Sequence, residues 1–556
     1  MTIREYLVEQ LTGAAKSVFN LETLGTDDII IEKPKNKAYG DLSTPLAMGL
    51  AKSLRKPPPV IAKELMQAFA WDETFVQPDP ELKNTIAGGF INFRLSAKYL
   101  CVVLEQVVKE PQTYGRDQIK NPKKILLEFV SANPTGPLVV VNARAAAIGD
   151  VVGRTHEWIG NTIEREYYVN DYGNQVDLLG KSVASRYYEK EGKEYPLPEE
   201  GYHGDYIYEL ADEIAEENPG IESMDEESRE ALFRAEALKK NVTAQQNVLK
   251  DYGVEYTRWF FESELHRQNI PHETFEMLRE KGLVFEDENA VWFKSTTFGD
   301  EKDRVIIRSD GTPTYFLADL AYHLYKASRG FDESYTFWGP DHHGYLPRLE
   351  GAVKALDTGK TVFKNFIIQQ VNLIREGQPF RMSKRKGDYI TITDLVNEVG
   401  VDAARYFFVN RRLSSHFDFD MDLALKRSEE NPVFYVQYAH ARTCSLCSHA
   451  EEREFSHEDI LSADLSLLEE EEELEVIRVI SEFPHLLYSL ATAIEPHRLT
   501  AYCESVATAF HQFYQKHRIV TDNRELSKAR LFLTLGVRNM MRLGLSLLGV
   551  SAPERM

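Results

Sequence analysis

The chain has 556 residues, 43% hydrophobic, 27% charged and 11% aromatic, which excludes a disordered or collagen-like chain and supplies material for several packed domains. Its net charge of −22 argues against a non-specific nucleic-acid binder, although a total hides local clusters. Four cysteines are too few for a disulfide framework, no apolar run reaches the roughly 18–20 residues of a spanning helix, and MTIREYLVEQL has no apolar signal core, so a cytoplasmic protein without a membrane segment is expected.

Residues 1–105 read as a small α+β unit. A helical start leads to the strand-like IIIE (29–32), a helix over 43–54, prolines at 57–59, a second helix over 60–70 and the alternating GGFINFRL (88–95), a strand after a glycine turn. Seven bases crowd 33–63, namely Lys33, Lys35, Lys37, Lys52, Arg55, Lys56 and Lys63. KKILLEFV (123–130), just after Asn121-Pro122, suits a buried parallel strand. SANPTGP and a helical stretch over 143–159 follow, the opening of a nucleotide-binding βαβ unit. Residues 175–290 are mostly helical by pattern. Strand-like runs resume at RVIIR (304–308), SYTFWG (334–339) and NFIIQQV (365–371), so a long insertion is expected to split the sheet. From Asn431 helix follows helix to a closing run over 529–548. The expected organisation is an N-terminal domain over 1–105, an α/β domain over 120–430 with an insertion over 175–290, and a helical domain over 431–556.

Several segments can carry chemistry. RMSKRKGD (381–388) sets Ser383 among Arg381, Lys384, Arg385 and Lys386 on a glycine-terminated loop, where mobile cations could meet a polyphosphate; charge alone fits a basic surface turn equally well. Tyr315 and Asp319 lie four apart, one turn of one helical face. Asp341-His342-His343 could chelate, but no second cluster supplies further ligands, and Cys444-x-x-Cys447 lacks a second pair, so no protein-held metal is expected. The acids of 451–475, twelve against one arginine, carry half the excess negative charge. From Arg498 on, nine bases face four acids, interleaved with Tyr502, Phe510, Phe513 and Tyr514. Their helical spacing makes most of these rings core, with one or two left for RNA bases.

RMSKRKGD resembles the K-M-S-K-S signature of class I aminoacyl-tRNA synthetases, with Arg381 in the first lysine's place. EFVSANPTGPL (128–138), REYYVNDYGNQV (165–176), YHGDYIYELA (202–211), the run from VWFKS to LAYH (291–323) and FWGPDHHGYLPRL (337–349) resemble, in order, segments of the arginyl-tRNA synthetase family. KAYGDLSTPLAMGLAK (37–52) and GGFINF (88–93) resemble its N-terminal domain. Asp402-Ala403-Ala404-Arg405, NPVFYVQYAHAR (431–442) and LLGVSAPERM (547–556) resemble its anticodon-binding region. The resemblance implies an α/β fold: a split parallel nucleotide-binding sheet of Rossmann type, an N-terminal tRNA-contacting α+β domain and a C-terminal all-α anticodon-binding domain. It further implies a monomer that activates L-arginine with ATP, accompanied by Mg2+, and transfers it to tRNA(Arg). By the same resemblance ATP lies against Ala132, Asn133, Pro134, Thr135, Gly136, Pro137, Leu138, Val139, Val140, Val141 and Asn142. Lys384, Arg381, Ser383 and Asn142 meet phosphate charge, and Glu128, Ser131, Asn133, Tyr315, Asp319 and His343 hold arginine.

The chain departs from the family at its H-x-G-H signature, where Val139, Val140, Val141 and Asn142 stand. Val139 has no donor, Asn142 offers only a neutral amide, and Val141 adds bulk. Losing one preorganised donor costs about 100–1000-fold in turnover. A catalytically impaired paralogue that still binds tRNA is therefore the alternative expectation, against which stand the persisting pocket residues and RMSKRKG.

Overall fold

A computed structural model describes residues 2–356, 358–380 and 390–556. Helices Ile3–Phe19, Leu46–Leu54 and Pro58–Ala68 pack on a small antiparallel sheet in the order Leu42–Thr44, Phe90–Phe93, Ile86–Ala87. The segment IIIE, expected as a strand, makes only a bridge from Glu32 to Ser43: the short strand Leu42–Thr44 has its main partner in Phe90–Phe93. The basic run 33–63 is partly spent inside the molecule. Lys33 meets Glu482 at 2.5 Å, Lys37 meets Glu475, and Lys56 meets Glu64 at 2.8 Å, so two of the seven bases bind this domain to the acidic C-terminal helices.

The centre is a five-stranded parallel sheet in the order Val362–Ile367, Glu333–Trp338, Lys124–Glu128, Thr162–Val169, Arg258–Phe261. Lys124–Glu128 is buried from its second residue on, as a central strand covered on both faces must be. Helix Val140–Trp158 crosses from it to Thr162–Val169 and packs closely because its inner face is built of Ala143, Ala146, Ala147 and Gly149. A Cβ at Gly149 would lie 2.3 Å from the Phe129 ring.

Two strand expectations need correction. RVIIR does not rejoin the parallel sheet: Arg304–Ile307 pairs antiparallel with Ala290–Phe293, itself paired with Val284–Asp287. The edge position is taken by Arg258–Phe261, inside the range read as insertion. Both are short apolar runs, and periodicity cannot say which sheet a run joins. NFIIQQV likewise divides between Val362–Ile367 and a second strand, Val371–Arg375, which joins Gln378–Pro379 and Phe417–Asp420.

From Pro432 the chain is helical. Arg524–Leu548 is long and apolar enough to meet the length and hydropathy of a spanning segment, contrary to the reading above. It is the core helix of the bundle, with 78% of its most apolar window buried. Tyr502, Phe510 and Phe513 are core, as their spacing suggested, and Tyr514 is partly covered, its hydroxyl accepting from Arg442 at 2.8 Å. The segments 402–405, 431–442 and 547–556 converge on one junction. Arg405, fully buried, reaches Asp150 of the Val140–Trp158 helix at 2.5 Å, the Leu548 carbonyl at 3.1 Å and the Tyr252 carbonyl at 3.1 Å. Gly549 (φ +65°) ends the last helix there, where a Cβ would strike the Arg405 guanidinium. Asp402 accepts from Ser551 N–H at 2.9 Å and from Gln437 Nε2 at 2.8 Å, and His440 Nδ1 lies 2.8 Å from the Pro553 carbonyl.

Candidate active site

The crossovers leave Lys124–Glu128 and Glu333–Trp338 in opposite directions, which makes the space beyond their C-terminal ends the switch point where open α/β sheets bind ligands. The first strand ends at Glu128 and turns through Val130 (φ +71°) and Ser131 (φ +41°), two successive left-handed residues that cost of order 1–3 kcal/mol each. Surrounding bonds hold this turn. Ser131 Oγ donates to Glu128 Oε1 at 3.2 Å and accepts from Tyr168 N–H at 3.2 Å. Ala132 N–H donates to the Tyr167 hydroxyl at 3.1 Å. Gln245 Nε2 donates to the carbonyls of Asn133 (3.1 Å) and Gly136 (3.0 Å), Asn241 to that of Pro134 (3.0 Å), and the Tyr206 hydroxyl to that of Thr135 (2.7 Å). The loop 132–138 is thus fastened carbonyl by carbonyl to helix Glu226–Asp251 and Tyr206, both within the range expected as an insertion.

The altered signature opens helix Val140–Trp158. Leu138 and Val140 are buried, Val139 and Val141 half-buried, and Pro137 is exposed. Asn142 turns its Oδ1 back to accept from Val139 N–H at 2.8 Å, so its amide caps its own helix and its NH2 end is the part that can donate outward. Val140 N–H donates to the Ile390 carbonyl at 3.1 Å, and Ile392 N–H to the Leu138 carbonyl at 2.9 Å. Arg381, Ser383 and Lys384 lie outside the described residues. Their flanks are described: Phe380 N–H donates to the Leu373 carbonyl at 2.7 Å, and Ile390 rests on the signature helix. Arg144, fully buried on that helix, donates to the carbonyls of Gln369 (2.8 Å), Ser415 (3.0 Å) and Arg412 (2.9 Å).

Beside this loop a cleft of about 500 Å³ is walled by Glu128, Ser131, Asn133, Tyr168, Asn170, Glu262, Tyr315, Asp319, Tyr322, His323, Trp338, His342 and Tyr345, among others. Three carboxylates reach it. Asp319 sits one turn beyond the half-exposed Tyr315 on helix Tyr315–Ser328 and accepts from the Tyr345 hydroxyl. Burial, reinforced by the charges of Glu262 and Glu128, pushes its carboxyl up to about 7. Glu262, 3% exposed, accepts through Oε2 from Asn170 Nδ2 at 3.0 Å, the amide orientation its neighbours require. Glu128 is paired with Lys326, whose side chain is fully buried. Burial holds the Tyr168 hydroxyl well above its ordinary pKa and pushes His323 down to about 3. Of the expected arginine ligands, Glu128, Ser131, Asn133, Tyr315 and Asp319 come together here. His343 does not: it stands exposed outside the cleft with Nε2 3.3 Å from Gln369, and His342 lines the wall instead, its ring 4.9 Å from Trp338. Sequence reading passed over Glu262 and Lys326. The stripe 315, 319, 322, 326 marks Lys326 on the same helical face as Asp319, whereas nothing local marks Glu262.

Three family models match the chain: "Arginyl tRNA synthetase N terminal domain" over residues 2–95, "tRNA synthetases class I (R), catalytic domain" over 103–413, and "DALR anticodon binding domain" over 436–556. The arginine–tRNA ligase of Desulforamulus reducens is 43% identical over 531 residues, covering 95% of this chain and 94% of its own. That of Geobacillus kaustophilus is 42% identical over 557 residues, covering 100% and 99%. The solved arginyl-tRNA synthetase of Thermus thermophilus, 21% identical, superposes over the whole of both chains with a TM-score of 0.77, a likeness of fold.

Proposed function

Because this chain belongs to the arginyl-tRNA synthetase family, we propose that it joins L-arginine to tRNA(Arg) at the expense of ATP. The observation that carries the reading is the cleft at the switch point, in which Asp319 and Glu262 stand as carboxylates beside a third already matched to a lysine. A planar guanidinium with five N–H donors suits two carboxylates in a dry cleft. Asn133 and Ser131, on the strained loop above, are placed to meet the α-amino end. ATP lies along the loop 132–138 and the helix start, where the positive end of the helix dipole favours phosphate.

The arginine carboxylate attacks the α-phosphorus in line, pyrophosphate leaves, and a hydroxyl of the terminal adenosine of tRNA(Arg) then displaces AMP from the adenylate. The protein supplies position and charge, with no covalent nucleophile of its own. Mg2+ accompanies ATP as its counter-charge. The phosphate role falls to Lys384, with Arg381 and Ser383 near it in sequence, and Ile390, just beyond this segment, accepts from Val140 N–H. With Val139 unable to donate, Lys384 carries more of the developing charge than it would beside two histidines. Lys384→Ala is expected to remove about 3 kcal/mol or more of transition-state stabilisation. The C-terminal helical domain reads the anticodon.

The test is arginine-dependent exchange of labelled pyrophosphate into ATP in the presence of tRNA(Arg). Exchange that requires arginine and falls by two orders of magnitude or more in Lys384→Ala supports the reading. A chain that binds tRNA but exchanges nothing is the impaired paralogue.

A further inference from the structure

A cation lies behind the proposed arginine cleft, paired with Glu128 of its wall. Lys326 sits wholly inside the protein, and its ammonium is fully coordinated: it donates to Glu128 Oε2, lies 3.3 Å from Thr336 Oγ1, and faces the Tyr322 ring 4.2 Å from its centroid. An ammonium has three N–H donors, and these are three contacts. Glu128 is equally committed. Its other oxygen accepts from Ser131, and Thr336 Oγ1 approaches Oε2 at 3.4 Å. The remaining carboxylates have no lysine or arginine of their own: Asp319 is held by the Tyr345 hydroxyl, and Glu262 by the Asn170 amide and the Tyr168 hydroxyl, with His266 Nε2 3.7 Å away.

We infer that Lys326 determines specificity by occupying, permanently and from below, the ammonium site of this cleft, so that an incoming cation meets only Asp319 and Glu262, a pair suited to a guanidinium and poorly suited to a lysine side chain. The inference rests on the cleft being the amino-acid site. An ammonium is a compact, strongly hydrated point charge that must trade water for a close ring of acceptors, and Glu128 with Thr336 and Tyr322 is such a ring. With the protein's own lysine inside it, a substrate lysine finds no equivalent. A guanidinium spreads its charge and its donors over a plane and can span two separate carboxylates. Lys326 touches no substrate in this account. It acts through Glu128, as a positioning residue.

The test is titration calorimetry of the full chain with arginine and with lysine, for the unmodified protein, Lys326→Met, Glu128→Gln and the double variant, with folding checked by circular dichroism. Lys326→Met opens Glu128 to the ligand, and the arginine-to-lysine affinity ratio should fall at least tenfold, chiefly through tighter lysine. Glu128→Gln leaves the buried ammonium without its counter-charge, and arginine affinity should fall at least tenfold. The double variant removes both charges and should recover most of the unmodified ratio. A structural role alone would weaken both ligands together. An unchanged ratio in folded Lys326→Met overturns the inference. Should that variant not fold, a double variant that binds arginine no better than Glu128→Gln overturns it. Failure of the unmodified protein to bind arginine overturns the reading of the cleft itself, and the inference with it.

Discussion

In the proposed reading Asp319 carries arginine recognition, and its burial gives that reading a pH signature. The folded carboxyl titrates at about 7, above the range of a free aspartate, so it is protonated below that value and ionised above it. A guanidinium needs the ionised form. Arginine affinity measured by calorimetry should therefore be greatest above pH 8 and weaken as pH falls through about 7, by up to tenfold per unit. Asp319→Asn removes the titrating partner. Its arginine affinity should fall a hundredfold or more, since truncating one side of a buried ion pair costs about 3–5 kcal/mol, and the pH dependence between 6 and 8 should flatten. Wild-type-like binding in this variant would place the guanidinium elsewhere.

At the scale of elements, the strand Lys124–Glu128, its strained turn and the helix Val140–Trp158 form a unit whose shape is set from outside. Gln245 alone satisfies two carbonyls of the loop and accepts from the Tyr167 hydroxyl at 2.9 Å. Gln245→Ala leaves buried groups unmet at about 1–3 kcal/mol each, so the melting temperature should drop by several degrees and KM for ATP should rise more than KM for arginine. Equal rises in both would mean that the loop does not serve the nucleotide.

The strand–loop–helix opening was legible because each local signal agreed: a buried apolar run, a turn-rich loop, a small-residue helix. The helical start came three residues earlier than the pattern suggested, because the half-cap from Asn142 begins the helix at Val140. Other features were not legible for a common physical reason. Arg258–Phe261 and Arg304–Ile307 are both short apolar strands, and tertiary packing alone decides which joins the parallel sheet. Glu262 looks like any surface acid until the strand Arg258–Phe261, which ends just before it, brings it to the cleft, and Glu128 is a bare carboxylate in the sequence until Lys326, 198 residues on, is seen against it.

Across the whole molecule, the segments resembling an anticodon-binding region divide into two roles. Asp402, Arg405, Gln437, His440 and Ser551 form the junction that locks the helical domain to the signature helix through Asp150. They are framework. Beside them Tyr435 and Tyr438 flank His511 with ring centroids 5.0 and 6.0 Å away, and these rings are the proposed face for RNA. Arg405→Met should cost about 3–5 kcal/mol and lower the melting temperature, because Asp150 and the carbonyls of Leu548, Tyr252 and Gly253 lose a buried partner together. Tyr438→Ala should leave the melting temperature nearly unchanged while weakening tRNA(Arg) in filter binding by tenfold or more, the scale of one stacked base. The ion pairs Lys33–Glu482 and Lys37–Glu475 join the N-terminal domain to this bundle at an exposed surface, so Lys37→Ala should shift stability by less than about 1 kcal/mol.

The central claim is that a chain with Val139 and Val141 in its signature still charges tRNA, its transition-state charge carried by Lys384 and the positive end of the helix dipole. The direct measurement is transfer of labelled arginine to tRNA(Arg) by the purified, unmodified protein with ATP and Mg2+. Arginyl-tRNA formed over many turnovers, with lysine not transferred, is the predicted result. No acid-precipitable arginine at high enzyme and ATP, from protein shown to bind both arginine and tRNA(Arg), would contradict it.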